Sequence, residues 1–202
     1  MALPDAEDIP LFPGRAVYVP AWLDSNHASV VLAACVDNLH WTSPTLKMFG
    51  RAHQIPRRHA FVGDAGVHYR WSGLVQTAEP WIPELSEIRA RLACIGLSFN
   101  SLLANHYRTG RDSMGWHADD EPELGQLPVI ATISLGQARK LRFKPKGEGA
   151  SLGVLLRHGS LLLTSGEVQQ HWLHQVAKSQ ARMIDRVSLT FRYIGLESQA
   201  SI

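Results

Sequence analysis

Val187-Ser188-Leu189-Thr190-Phe191-Arg192-Tyr193-Ile194 alternates apolar and polar side chains without a break until its last pair. Successive side chains of a β-strand point to opposite faces. Val187, Leu189, Phe191 and Tyr193 are therefore predicted on one face, with Ser188, Thr190 and Arg192 on the other. Shorter apolar or alternating runs, bounded by turn signals, precede this strand at 98–107, 129–135, 141–144 and 160–164. No helical pattern separates them. Strands in series without intervening helices argue for a sandwich or jelly roll, not a parallel βαβ sheet.

Helical periodicity is confined to the first half of the chain. From Asp24 to Leu39 the apolar pattern is helical, with Asp24 or Ser25 available as N-cap. A second helix is predicted from Pro83 to about Ile95, with Leu85, Ile88, Leu92 and Ile95 on one face and Gly96 as its stop. Residues 1–15 carry three prolines and no periodicity, and read as an extended arm. With no repeat and no linker, residues 16–195 are expected to form one α+β unit whose helices buttress a sheet. Residues 196–202 are left as a tail.

The chain has 202 residues, 45% hydrophobic and 19% charged, which excludes disordered, coiled-coil and collagen-like architectures. Cys35 and Cys94 both lie in apolar helix-like stretches, so no disulfide framework is expected and a reducing compartment fits. No apolar run reaches the length of a membrane span, and the acidic, proline-broken start is unlike a leader. The expected location is thus cytoplasmic and nucleoid-associated in a bacterium, or nuclear in a eukaryote. Net charge is only +2, but 15 of the 20 basic residues are arginine, the side chain suited to gripping carboxylate and phosphate. Residues 47–70 hold Lys47, Arg51, Arg57, Arg58 and Arg70 against the single acid Asp64, with Phe49, Phe61 and Tyr69 interleaved. That composition suits loops and short strands facing an anion. Lys140, Arg142, Lys144 and Lys146 alternate with Leu141, Phe143 and Pro145, a strand with one basic face. Together with Arg51, Arg57 and Arg58 it could form a phosphate-tracking rim.

The richest stretch is Asn105-His106-Tyr107-Arg108-Thr109-Gly110, then six residues, then His117-Ala118-Asp119-Asp120-Glu121. In extended chain, positions i and i+2 point the same way, so His117 and Asp119 can converge on one ion. Two imidazoles and one carboxylate on one face of an ion are the usual set for non-haem Fe(II) with open positions. The second imidazole has to come from His158, His171 or His174. Singly, these pieces are common in a chain with ten histidines. Their joint order is not.

Asn-x-Tyr-x-x-Gly, six residues, His-x-Asp-Asp-Glu, then His171-Trp172-Leu173-His174, eleven residues and Arg186-Val187-Ser188-Leu189-Thr190-Phe191-Arg192 together resemble the AlkB-type Fe(II)- and 2-oxoglutarate-dependent dioxygenases. The likeness covers residues 45–194 and is greatest to the branch that repairs alkylated duplex DNA. It implies a double-stranded β-helix (jelly-roll) core over about 96–195 and a nucleotide-recognition region over about 45–95. It implies that His117, Asp119 and His174 bind iron. Arg192 would pair with the distal carboxylate of 2-oxoglutarate, and Arg186, Asn105 and Tyr107 would complete the co-substrate pocket. Ser188 stands where the family has asparagine. Dioxygen is the third reactant implied, and the reaction is oxidative demethylation of 1-methyladenine or 3-methylcytosine in DNA, releasing formaldehyde, succinate and carbon dioxide.

In the family, Tyr69 and Trp71 match the aromatic wall of the base pocket, and Asp120 and Glu121 match acids near the exocyclic amine. Phe49 matches an aromatic wedge that fills the gap left by a flipped base, with Arg51, Arg57 and Arg58 on the DNA backbone. The expected partner is alkylated DNA, duplex or single-stranded, met by a monomer with no membrane association. Other readings compatible with the residues are an RNA demethylase or protein hydroxylase of the same superfamily, a zinc hydrolase or cupin-like metalloprotein, and a non-catalytic nucleic-acid-binding metalloprotein.

Overall fold

A computed structural model describes residues 3–48, 51–71 and 74–195; at 46–48, 51, 71 and 74 the backbone alone is described. In chain order the elements are β1 (Glu7–Ile9), β2 (Arg15–Val19), α1 (Ser25–Asn38), β3 (Thr45–Met48), β4 (Arg51–Gln54), β5 (Arg58–Gly63), β6 (His68–Trp71) and β7 (Leu74–Thr77). There follow α2 (Pro83–Cys94), β8 (Ser101–Tyr107), β9 (Met114–His117), β10 (Ile130–Gly136), β11 (Arg139–Pro145), β12 (Leu152–Leu156), β13 (Ser160–Ser165), α3 (Val168–His171), β14 (Trp172–Val176) and β15 (Arg186–Arg192). A seven-stranded major sheet runs β1-β2-β13-β10-β15-β8-β5, and a four-stranded minor sheet runs β12-β11-β14-β9. Every neighbouring pair in both sheets is antiparallel. The architecture is an α+β jelly roll.

β15 lies between β10 and β8, with Ala131 opposite Phe191 and Tyr107 opposite Arg186. Val187, Leu189 and Phe191 are completely buried in a core shared with Val31 of α1 and Leu85, Ile88 and Leu92 of α2. The predicted alternation is therefore the observed one, except at Tyr193, which lies past the end of the strand and is exposed. The helices do buttress the major sheet. Asp24 caps α1 by accepting the His27 N–H at 2.9 Å, and Gly96 ends the α2 region at φ +86°, a conformation that suits glycine. A second core fills the space between the sheets, where Leu141, Phe143, Leu156 and Val176 of the minor sheet meet Tyr18, Tyr107 and Leu162 of the major.

Two expectations change. The N-terminal arm is extended but built in: β1 pairs with β2, and β2 with β13, making residues 7–9 the outer edge of the major sheet. Besides β1 and β2, the strands β9, β12 and β14 of the two sheets escape the sequence pattern. β9 (Met-Gly-Trp-His) and β12 each contain a glycine; β9 and β14 do not alternate cleanly in burial, and β12, which does, is apolar throughout and so shows no alternation of polarity. Cys35 and Cys94 are both free, and no described helix is long and apolar enough to cross a membrane.

Candidate functional site

β9 and β14 are neighbours in the minor sheet, and their register sets His117 opposite His174 with ring centroids 4.1 Å apart. Asp119 follows β9 by two residues, so its side chain returns to the same face. Nitrogen and oxygen atoms of His117, Asp119 and His174 lie within 4.8 Å of one another. The Gly115 carbonyl lies 2.9 Å from His117 Nδ1. A carbonyl only accepts, so Nδ1 carries the proton and Nε2 keeps a free lone pair. Burial pushes the His174 imidazole down to about 3 and shifts His117 in the same direction, so both are neutral near pH 7. Burial opposes ionisation of Asp119, but Arg192, His174 and His117 together hold its carboxyl at about 2. Two neutral imidazoles and an ionised carboxylate on one face form a donor set for a divalent cation with open positions.

Sequence reasoning missed the residue that holds this loop. Gln169, buried on α3, accepts the Asp119 N–H on Oε1 at 3.0 Å and donates from Nε2 to Thr164 Oγ1 at 3.3 Å. It thereby fastens the segment bearing Asp119 to β13 and to the short helix that leads straight into His174. Nothing in a lone Gln170-flanked glutamine marks it out; its importance comes from a partner 50 positions away.

A cleft between the sheets joins the three residues to a polar wall. The major sheet contributes Asn105, Tyr107, Thr132, Arg186, Ser188, Thr190 and Arg192, and the minor sheet Met114, Leu141, Leu156 and Val176. All five residues expected around 2-oxoglutarate line it, but the two arginines divide differently from expectation. Arg192 stands at the metal end: Nη2 donates to Asp119 Oδ1 at 2.5 Å and Nη1 to Tyr69 Oη at 3.2 Å. Arg186 lies six residues away on the same face of β15, about 20 Å along the strand. Its Nε and Nη2 donate to Ser134 Oγ at 3.1 and 2.7 Å, and its guanidinium packs over the Tyr107 ring. Burial lowers the Arg186 pKa to about 10, which still leaves a cation. That cation is 1% exposed, has no carboxylate partner among the described residues, and leaves Nη1 without a hydrogen bond. Arg192 was the arginine expected at the distal carboxylate; in the structure it is the one paired with Asp119, and Arg186 is the one without an anionic partner.

A model of the 2OG-Fe(II) oxygenase superfamily matches residues 15–192. The chain belongs to that superfamily. It is 39% identical to human DNA oxidative demethylase ALKBH2 over 74% of this chain and 60% of the relative. To the mouse protein of that name it is 37% identical, over 74% of this chain and 66% of the relative. Human alpha-ketoglutarate-dependent dioxygenase alkB homolog 3 is 34% identical over 89% of this chain and 66% of its own length. The chain thus spans slightly less than two thirds of these relatives. The solved structure of OsALKBH1 superposes with a TM-score of 0.66 at 17% identity, covering 93% of this chain and all of that one, a likeness of fold.

Within this oxygenase fold, the remaining expected residues separate into those near the cleft and those outside it. Tyr69 is buried, with its hydroxyl between Arg192 and the Glu121 carboxylate. Burial raises the pKa of Glu121, and Glu121 Oε2 has no partner. Asp120 points the other way, as the middle residue of an extended triplet must. It is exposed and pairs with Lys146 at 2.8 Å, turned away from Glu121. Arg57 turns inward. Instead of facing solvent, it is 6% exposed and donates from Nε to Asn105 Oδ1 at 2.7 Å, which fixes Asn105 in the cleft wall. Arg58 is exposed. Phe49 and the side chains of Arg51 and Trp71 lie outside the described residues. His158 accepts the Gly136 N–H on Nδ1, and His171 pairs with Glu167, so neither joins the metal-ligating group.

Proposed function

We propose that the chain is an Fe(II)- and 2-oxoglutarate-dependent dioxygenase that removes N-methyl groups from alkylated bases in DNA. The observation that carries this reading is Arg186: a buried guanidinium without an anionic partner, in the same cleft as His117, Asp119 and His174. A buried, unpaired charge is costly unless a ligand neutralises it. A metal hydrolase needs no such group. His117, Asp119 and His174 would hold the iron, which with 2-oxoglutarate and dioxygen supplies the oxidation that frees formaldehyde, succinate and carbon dioxide.

In this reading Arg186 binds the distal carboxylate of 2-oxoglutarate, flanked by Ser134, Ser188 and Tyr107. Asn105, steadied by Arg57, offers a neutral polar contact. Arg192 keeps Asp119 ionised and oriented. Glu121 and Tyr69, with Trp71, would receive the base, whose methylated form is cationic and suits an acid and aromatic faces. The names of the ALKBH2 relatives, as DNA demethylases, support DNA as the substrate class. Phe49, Arg51 and Arg58 would meet the DNA. As a wedge, Phe49 stabilises the opened stack by roughly 1–3 kcal/mol, so Phe49→Ala would weaken repair of duplex about 5- to 150-fold and spare single strands.

Mass spectrometry of an oligonucleotide carrying 1-methyladenine, after incubation with Fe(II), 2-oxoglutarate and ascorbate, tests the proposal. Loss of the methyl mass with matching succinate is expected. Intact methylated oligonucleotide in the presence of a loaded metal site would overturn it.

A further inference from the structure

We propose that the outer face of the minor sheet is a second nucleic-acid surface, which binds unpaired nucleotides flanking the lesion through Trp116, Lys140, Arg142 and Lys144. The inference rests on DNA being the substrate, but on residues outside the cleft.

Trp116 immediately precedes His117 on β9, so its indole projects from the face opposite the metal-ligating group. On β11, Leu141 and Phe143 are buried toward the cleft, which turns Lys140, Arg142 and Lys144 outward. β14 lies between β11 and β9, with Gln175 opposite Arg142 and Leu173 opposite Lys144. The two long side chains reach across it: Lys144 Nζ is 4.8 Å and Arg142 Cζ 6.0 Å from the Trp116 ring centroid. On β12, Gly153 leaves room for the stem of Lys140, since a Cβ there would come within 2.8 Å of Lys140 Cδ.

The charge on this face is unneutralised. Of the basic run, Lys146 pairs with Asp120. Among the described residues no carboxylate lies within ion-pair distance of Lys140, Arg142 or Lys144. Two free cations beside one half-buried indole, with a third on the same sheet face, match a polymer that alternates phosphates with planar rings. An acidic peptide would satisfy the cations and leave the indole unused, and a duplex hides its ring faces inside the stack. Unpaired nucleotides use both. β9 is also an edge strand of the minor sheet. A polynucleotide with one base in the cleft can therefore round that edge and continue over Trp116.

The test combines binding and turnover. Fluorescence anisotropy with an unmodified oligothymidylate of about fifteen nucleotides reads the surface without a lesion. Trp116→Ala should weaken binding about 5- to 150-fold. Arg142→Gln with Lys144→Gln should flatten the log affinity against log salt slope by about 1.4, or roughly 0.7 per lost phosphate contact. The double variant lies on an exposed sheet face, so it keeps the test decisive if Trp116→Ala perturbs β9. With methylated substrates, both variants should raise KM for the long single strand and leave turnover of a methylated trinucleotide as in the wild type. Wild-type affinity and salt slope in the double variant would overturn the surface, as would equal displacement of the oligonucleotide by polyglutamate. Failure of the wild type on the trinucleotide would instead overturn the dealkylase reading.

Discussion

On one face of β15, Val187, Leu189 and Phe191 have no exposure and pack against α1 and α2. On the other, Arg186, Ser188, Thr190 and Arg192 are nearly as buried, at 1–8% exposure, yet they face a cleft. Degree of burial does not separate core from site here. Unmet bonding capacity does. The apolar face has nothing left to satisfy, whereas Arg186 Nη1 and Arg192 Nε are buried donors without partners. Such groups are destabilising in the free protein unless something arrives to bond them, which is the signature of a binding face.

The largest effect should come from breaking the buried pair on the cleft face. Asp119→Ala removes a metal ligand and strands Arg192, which should lower stability by about 3–5 kcal/mol besides abolishing turnover. Asp119→Asn keeps an acceptor for Arg192 and should fold far better while remaining inactive. Thermal unfolding of the two variants separates the roles; equal melting temperatures would mean that the ion pair contributes nothing. On the apolar face, Leu189→Ala should cost about 2–5 kcal/mol by cavity formation. Its metal and 2-oxoglutarate affinities should match the wild type wherever the protein is folded, and a selective loss of either would blur the division between faces.

Smaller effects sharpen the cleft itself. Arg186→Lys keeps the charge but loses the planar fork, so 2-oxoglutarate affinity should fall by roughly 2–3 kcal/mol, with partial recovery of activity at high co-substrate. An unchanged KM would put the carboxylate elsewhere. Gln169→Leu removes the acceptor for the Asp119 N–H and should weaken Mn(II) binding about 10- to 100-fold, the usual range for a group that supports a ligand. Gln169→Glu, which retains that acceptor, should restore most of it. Equal Mn(II) affinity in all three proteins would reduce Gln169 to ordinary packing.

The same strand shows what a sequence discloses. Alternation from Val187 to Arg192 is a local property, so both faces of β15 were legible, as were the N-cap of α1 and the Pro83 start and Gly96 stop of α2. Spacing also brought His117 and Asp119 together, and the family resemblance selected His174 from three candidate histidines. Which arginine faces the metal-ligating group was not legible, because Arg186 and Arg192 are equivalent by pattern and only the pairing of Arg192 with Asp119, 73 residues away, distinguishes the two ends of the strand. Arg57 read as surface charge because its partner Asn105 lies 48 residues on. Asp120 was grouped with Glu121 by adjacency, although adjacent residues in extended chain face apart. Long-range pairing, not local propensity, decided each of these.

In the proposed reading, Arg186 on the major sheet and the His117–Asp119–His174 group on the minor sheet form one co-substrate site in the cleft between the sheets. Titration calorimetry with Mn(II) in place of Fe(II) measures this without turnover. One equivalent of 2-oxoglutarate should bind per chain when Mn(II) is present, and Arg186→Gln should bind it much more weakly while retaining its Mn(II). Binding of 2-oxoglutarate at wild-type strength to Arg186→Gln, or no binding to the Mn(II)-loaded wild type, would contradict the account.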